Sequence, residues 1–291
     1  MQGNWMFAIL GIAVTTFSVV GGYAFNGGHM GVLWQPFEWL IIVGAAIGSL
    51  LLGNPKSTIL GIGANVALIV KGAHHGKADY VELLSMLYSV FKLAKTKGDL
   101  ALESHVEKPD ESPLFNKFPK FSSDHHTRTF LCDYLRLLTL GTSNAHELES
   151  IIDGEIDAHH KFYHEISHAV NLMADAMPAL GIVAAVLGVI HTMGSITEPP
   201  EVLGHLIGAA LVGTFTGVLL SYALFAPIAR NMQMCFDSDG NYYGAIKAGL
   251  LAHMQGYAPQ VSVEFARKIL PDELRPTFQE LEETVTNLPP D

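Results

Sequence analysis

All 17 Lys and Arg residues lie between Lys56 and Lys161 or between Arg230 and Arg275, and the rest of the chain has none. Residues 1–37, 39–55, 176–197 and 202–229 carry no charged side chain other than histidine. A hydrocarbon core about 30 Å thick takes roughly 20 helical residues to cross, so these segments supply four membrane spans. Cationic segments stay on the cytoplasmic side. Both basic blocks are therefore expected inside, the two short loops without Lys or Arg outside, and both termini in the cytoplasm.

The fold class this implies is all-α: a polytopic membrane protein with four transmembrane helices and a large helical cytoplasmic domain. Residues 1–55 form a first hairpin, with spans at about 5–22 and 32–52. Residues 56–175 form the cytoplasmic domain. Residues 176–228 form a second hairpin, with spans at about 177–196 and 203–226, and 229–291 a cytoplasmic tail. The first apolar run, Trp5 to Val20, lacks the basic start of a secretory signal and is read as a retained span. The 28 glycines suit helices that approach closely in lipid. Cys132 and Cys235 are in no CxxC pair and are expected to be reduced. All acidic residues except Glu38, Glu198 and Glu201 fall in the two cytoplasmic blocks, where they outnumber the basic ones, so nucleic acid is not an expected partner.

In the cytoplasmic domain, Leu83, Leu84, Leu87, Val90, Phe91 and Ala94 recur at helical spacing and predict an amphipathic helix over Asp79–Lys97, ended by Gly98. A second helix is expected over Leu100–Glu107, and a long polar helix over Asn144–Asp175 leading into span 3. His74-His75 and His125-His126 read as exposed loop residues. His160, His164 and His168 share one helix face with His159 and Glu165 close by, but the segment is polar, solvated and without Cys, and no metal is expected there.

The spans are notable for what they lack. An ionisable group in mid-membrane is costly and marks an ion path, yet no span has a central Asp, Glu, Lys or Arg. Any proton-carrying carboxylate must come from another polypeptide. Thr192, Ser195, Thr214, Thr216 and Ser221 are the hydroxyls available; Thr214 either bonds its own helix or lines an ion path. Glu38 near the outer end of span 2 is either tolerated at the interface or takes part in ion uptake. His191 in span 3 is either an interfacial histidine or part of a proton route. Pro178 reads as a first-turn proline and Pro227 as a span terminator, or both as bend points between spans and cytoplasmic helices.

The run Pro178-Ala179-Leu180-Gly181-Ile182-Val183-Ala184-Ala185-Val186-Leu187-Gly188-Val189-Ile190-His191 resembles the third span of the MotA family of flagellar stator subunits, within the MotA/TolQ/ExbB proton channel superfamily. Val212-Gly213-Thr214-Phe215 with Gly217, Gly256-Tyr257-Ala258-Pro259, and Val263-Glu264-Phe265-Ala266-Arg267-Lys268 are similar to the family's patterns in span 4 and the tail. The resemblance implies a homopentamer around two copies of MotB. MotB is a single-span partner that supplies a protonatable Asp and is anchored to peptidoglycan. It implies a location in the bacterial inner membrane and torque delivered to the rotor protein FliG.

By position, the resemblance gives Pro178 and Pro227 the coupling of ion flow to movement, Thr214 and Ala185 the lining of the ion path, and Lys95 and Glu103 the rotor contact. Lys95 stands where the family often has Arg, keeping the charge but not the planar fork. Sodium-driven relatives tend to have Thr at the position of Ala185, which offers no oxygen ligand, so the proton is the expected coupling ion. No catalytic residue and no cofactor is implied. The alternatives are an ExbB- or TolQ-like energiser of outer-membrane processes, whose members typically have three spans, a stand-alone ion channel, which the missing central charge opposes, and a purely structural scaffold.

Overall fold

The computed structural model describes residues 4–67, 72, 75–142 and 144–288. They are helical apart from turns, with no strand among them. Helix α1 (Asn4–Thr16) passes through a π-helical turn (Phe17–Gly21) into α2 (Gly22–Phe25). A short α3 (Met30–Leu33) precedes α4 (Pro36–Gly53) and α5 (Lys56–Asn65). Next come α6 (Lys77–Lys97), α7 (Glu103–Glu107), α8 (Pro119–Ser123) and α9 (His125–Thr139). Helix α10 (Ala145–Met193) and α11 (Pro200–Leu220) follow, with a π-helical turn (Ser221–Phe225) leading directly into α12 (Ala226–Met254). Helices α13 (Pro259–Lys268) and α14 (Phe278–Thr286) complete the chain.

Among the described residues, four helical stretches are long and apolar enough to cross a membrane: Met6–Phe25, Met30–Gly53, and parts of Ala145–Met193 and Pro200–Met254. Large apolar side chains, among them Phe7, Phe17, Phe37, Leu52, Ile190 and Leu211, project outward along them. So broad an exposed apolar surface is stable against lipid, not water. The protein is membrane-embedded.

The chain forms two compact units: residues 1–72 with 161–236, and 73–160 with 237–291. Divisions fall inside α10 and inside α12, because both helices continue past the apolar segments instead of stopping at them. Helix α10 has 49 residues, more than twice the roughly 20 that cross the hydrocarbon core.

In the first unit, the start and end of α4 follow from local chemistry. Pro36 occupies the first turn, where its missing N–H costs nothing. At the other end Asn54 Nδ2 donates to the Leu50 carbonyl at 2.9 Å, and Pro55 prevents continuation. Ile42, Ala46, Met177, Ala184 and Leu220 form the buried apolar centre of this unit.

The second unit is built around α6. Gly76 N–H donates to Asp79 Oδ2 at 2.7 Å to cap its start, and Gly98, at φ +85°, ends it in a conformation that favours glycine. All six apolar positions expected to face inward are buried, each contributing about 1.5–3 kcal/mol where the side chain is large. The expected Leu100–Glu107 helix is a 3-10 turn over Asp99–Leu102 followed by α7. His74 lies outside the described residues. Its neighbour His75 is no exposed loop residue, because its ring stacks on Tyr242 with centroids 3.8 Å apart. Arg267 is buried, held by both oxygens of Glu264 at 2.6 and 2.7 Å and by the Pro276 carbonyl at 2.8 Å.

Candidate functional site

Helices α10 and α11 cross at a seam of glycine. A β-carbon on Gly213 would lie 3.0 Å from the Ala185 nitrogen, and one on Gly181 would lie 2.8 Å from the Gly213 carbonyl and 3.3 Å from Thr214 Cα. A β-carbon on Gly217 would lie 2.6 Å from the Met177 carbonyl. Only hydrogen at these positions permits so close an approach, the mode of packing that substitutes for hydrophobic force in lipid. The crossing brings Ala185 and Thr214, far apart in sequence, to one seam, both half-buried. Thr192 bonds its own helix, donating to the Gly188 carbonyl at 2.9 Å; Thr214 makes no such bond among the described residues.

The two prolines are placed differently from the first-turn and terminator readings. Pro178 lies in the interior of α10, 33 residues from its start, and the helix runs on to Met193. Pro227 is the second residue of α12, but helical backbone precedes it without a break, since α11 passes through the π-helical turn directly into α12. Neither proline ends a helix, because neighbouring helix packing outweighs the lost hydrogen bond in both places. Each leaves a carbonyl one turn earlier without its usual donor.

Glu38 is half-buried in the first turn of α4, and its Oε1 would be 3.6 Å from a β-carbon on Gly188. Its Oε2 is buried without a hydrogen-bond partner among the described residues. The glycine opposite it on α10 is what admits it to the helix interface, a pairing that spacing along one chain segment cannot reveal.

In the second unit, Lys95 and Glu103 are both exposed. Lys95 Nζ donates to the Gly256 carbonyl at 3.0 Å. Gly256, at φ +87°, makes the turn between α12 and α13. Glu103 opens α7, where a carboxylate suits the positive end of the helix dipole. Between them in sequence, Asp99 lies 3.6 Å from Nε2 of His253, whose ring stacks on Phe91 with centroids 4.8 Å apart. Nothing in the sequence pointed to His253, because the pairing spans more than 150 positions.

The histidine-rich face of α10 is divided among separate partners. His160 Nε2 meets Asp237 Oδ1 at 3.2 Å, His159 packs on Tyr243, and His164 stacks on His168. Among the described residues no three His, Cys, Asp or Glu side chains are arranged to hold a metal ion. Cys132 is buried, and burial pushes its thiol up to about 12.

Two family models match the chain: the motility protein A N-terminal family over residues 9–98, and the MotA/TolQ/ExbB proton channel family over residues 122–239. Motility protein A of Escherichia coli (strain K12) is 39% identical over 280 residues, covering 96% of this chain and 95% of that protein. A solved structure of C. jejuni MotAB superposes with a TM-score of 0.77 at 20% identity, over 92% of this chain and 96% of that one. The flagellar MotAB stator complex from Bacillus subtilis gives 0.70 at 24% identity, over 88% and 92%. At those identities the two structures bear on the fold alone, and it is the four-span, all-helical architecture described above. With the E. coli relative matched almost from end to end, this chain belongs to the motility protein A family.

Proposed function

We infer that this chain, a flagellar stator subunit of the motility protein A family, conducts protons together with a single-span MotB partner and converts that flow into torque on the rotor. The observation that carries the reading is the glycine-lined crossing of α10 and α11. It brings Ala185 and Thr214 to one seam and has no ionisable side chain of its own in mid-span. Such a surface presents hydroxyl and backbone to an ion but cannot bind and release a proton by itself. The protonatable Asp is supplied by MotB, in keeping with solved relatives that are MotAB complexes.

In this reading five copies of the chain surround two copies of MotB in the bacterial inner membrane, both termini of each copy facing the cytoplasm. Protonation of the MotB Asp neutralises it against the seam, and its release on the cytoplasmic side restores the charge. The alternation moves the ring relative to MotB. Pro178 and Pro227 are the points at which α10 and the α11–α12 helical run bend, since each removes a backbone hydrogen bond. Exposed Lys95 and Glu103 present opposite charges to FliG. The coupling ion is the proton because Ala185 provides no oxygen to replace the water that sodium would shed. Ion movement and helix motion do the work, with no covalent step and no cofactor.

Four spans and a match to motility protein A over nearly the whole chain favour this over an ExbB- or TolQ-like energiser. Complementation tests it. In cells lacking their own stators, swimming is expected only when this chain and its MotB are expressed together; swimming with neither, or no swimming with both, refutes it.

A further inference from the structure

Ser221 is fully buried at the cytoplasmic end of span 4, and its hydroxyl has no hydrogen-bond partner among the described residues. A helical serine ordinarily donates to a carbonyl three or four residues back, as Ser85 and Ser89 do here at 2.8 and 3.1 Å. Ser221 does not, and it opens the π-helical turn, where the Ala226 N–H reaches five residues back to the Ser221 carbonyl.

Pro178 and Pro227 each free a further polar group. Pro227 has no N–H, so the carbonyl it would have met, that of Ala223 in α register or of Tyr222 in π register, loses its intrahelical donor. Pro178 likewise cannot donate to the carbonyl of Ala174, a fully buried residue. The antiparallel register sets Gly213 against Gly181 and Gly217 against Met177. Continued by one turn, it sets Ser221 against Met173 and Ala174. The surroundings, Met177 and Leu220 with Met173, Leu180 and Leu224 packed around them, are apolar. Buried polar groups in a bilayer are satisfied by each other or by water, and one hydroxyl can donate to only one of these carbonyls.

We propose that Ser221 and the carbonyls freed by Pro178 and Pro227 bind water and form a proton-exit relay between spans 3 and 4. The inference rests on the stator reading and adds a site to it. A proton arriving on this water as hydronium is passed on as one O–H bond forms and another breaks along the chain of hydrogen bonds. The proton passes to the next water on the cytoplasmic side, while Ser221 keeps its own hydroxyl proton throughout, with no covalent bond to the protein and no redox change. The same loss of two backbone hydrogen bonds that lets the helices bend thereby provides the acceptors for exit. Ser221 is a positioning residue for this water.

The test uses the full chain with a MotB partner freed of its plug, in membranes, with cytoplasmic acidification normalised to the amount of inserted complex. Ser221→Ala is expected to slow proton flux about fivefold, the factor corresponding to one hydrogen bond of ordinary net strength. Ser221→Thr, which keeps the hydroxyl, should stay within about twofold of wild type by the same measure. Separately, Ser221→Cys in a Cys132→Ala, Cys235→Ala background should react with a small cationic methanethiosulfonate from the cytoplasmic side, as should Ser57→Cys at an exposed position. Flux through Ser221→Ala equal to wild type overturns the relay. If that variant fails to insert, an unreactive Ser221→Cys beside a reactive Ser57→Cys overturns it instead. A wild-type complex that conducts no protons refutes the stator reading itself, and is thus distinguishable from failure of the relay alone.

Discussion

Replacing Gly217 by Ala places a methyl group where the two central spans meet. The new carbon would lie 2.6 Å from the Met177 carbonyl and 2.9 Å from Gly181 Cα, both backbone atoms. Ordinary contact needs about 3.4 Å or more, so α10 and α11 must separate by about 0.8 Å or tilt, losing dispersion contacts along the seam. Overpacking of this kind costs about 1–3 kcal/mol, and at the middle of that range lowers the melting temperature by about 5 °C. Gly204→Ala is the control, since nothing lies within 4 Å of its β-carbon. Both variants are purified in detergent and melted, and proton flux is measured in parallel. Gly181→Ala should cost a similar amount, yet the double variant should cost less than the sum, because Gly181 and Gly217 share one contact and the first separation relieves the second. A Gly217→Ala protein as stable and as conductive as wild type, or strict additivity with Gly181→Ala, would refute close helix approach as the basis of this site.

Reversing the exposed charges with Lys95→Glu and Glu103→Lys should each reduce swimming torque without reducing proton flux; unchanged torque in both removes these residues from the rotor contact. Pro178→Ala restores an intrahelical donor and should leave flux above the level without MotB while uncoupling it from rotation; preserved flux and rotation together would end its coupling role. The carboxylate of Glu264 is held below its ordinary range mainly by hydrogen bonds from Arg267. Its stabilising contribution is therefore present above the unfolded value of about 4.3 and is lost as pH falls through the lower folded value. Glu264→Gln should be less stable than wild type at pH 7, with the gap closing in acid; a gap that widens in acid contradicts the assignment. The Cys132 thiol, pushed up to about 12 by burial, should resist alkylation at pH 8 in the folded protein and react only on unfolding; rapid labelling of the native protein would show the site to be open.

Much of the architecture could be read from the charge pattern, because lipid imposes length and polarity on every span. The Asp79–Lys97 helix was legible for a similar reason: its apolar positions recur at helical spacing and a glycine follows its last turn. What sequence could not supply were the consequences of distant contacts. Pro178 resembles a helix start when its neighbours are read alone, but the structure continues α10 through it because packing against α11 holds the backbone on both sides. Pro227 resembles a terminator until the π-helical turn before it is seen. The bond of Lys95 to the carbonyl of Gly256 joins residues 161 positions apart. Glu38 reads as a carboxylate near the outer end of span 2, and its place against Gly188 joins residues 150 positions apart. Ser221 was legible only as one of several span hydroxyls, since its lack of a partner depends on a local change of helical register.

The central claim, a proton path completed by a carboxylate from MotB, is tested most directly by cytoplasmic acidification in sodium-free buffer. Cells express this chain alone, with MotB freed of its plug, or with that MotB carrying Asp→Asn in its span. Acidification only in the presence of the intact Asp is the predicted result. Acidification by the chain alone, or flux that appears only when sodium is supplied, would contradict it.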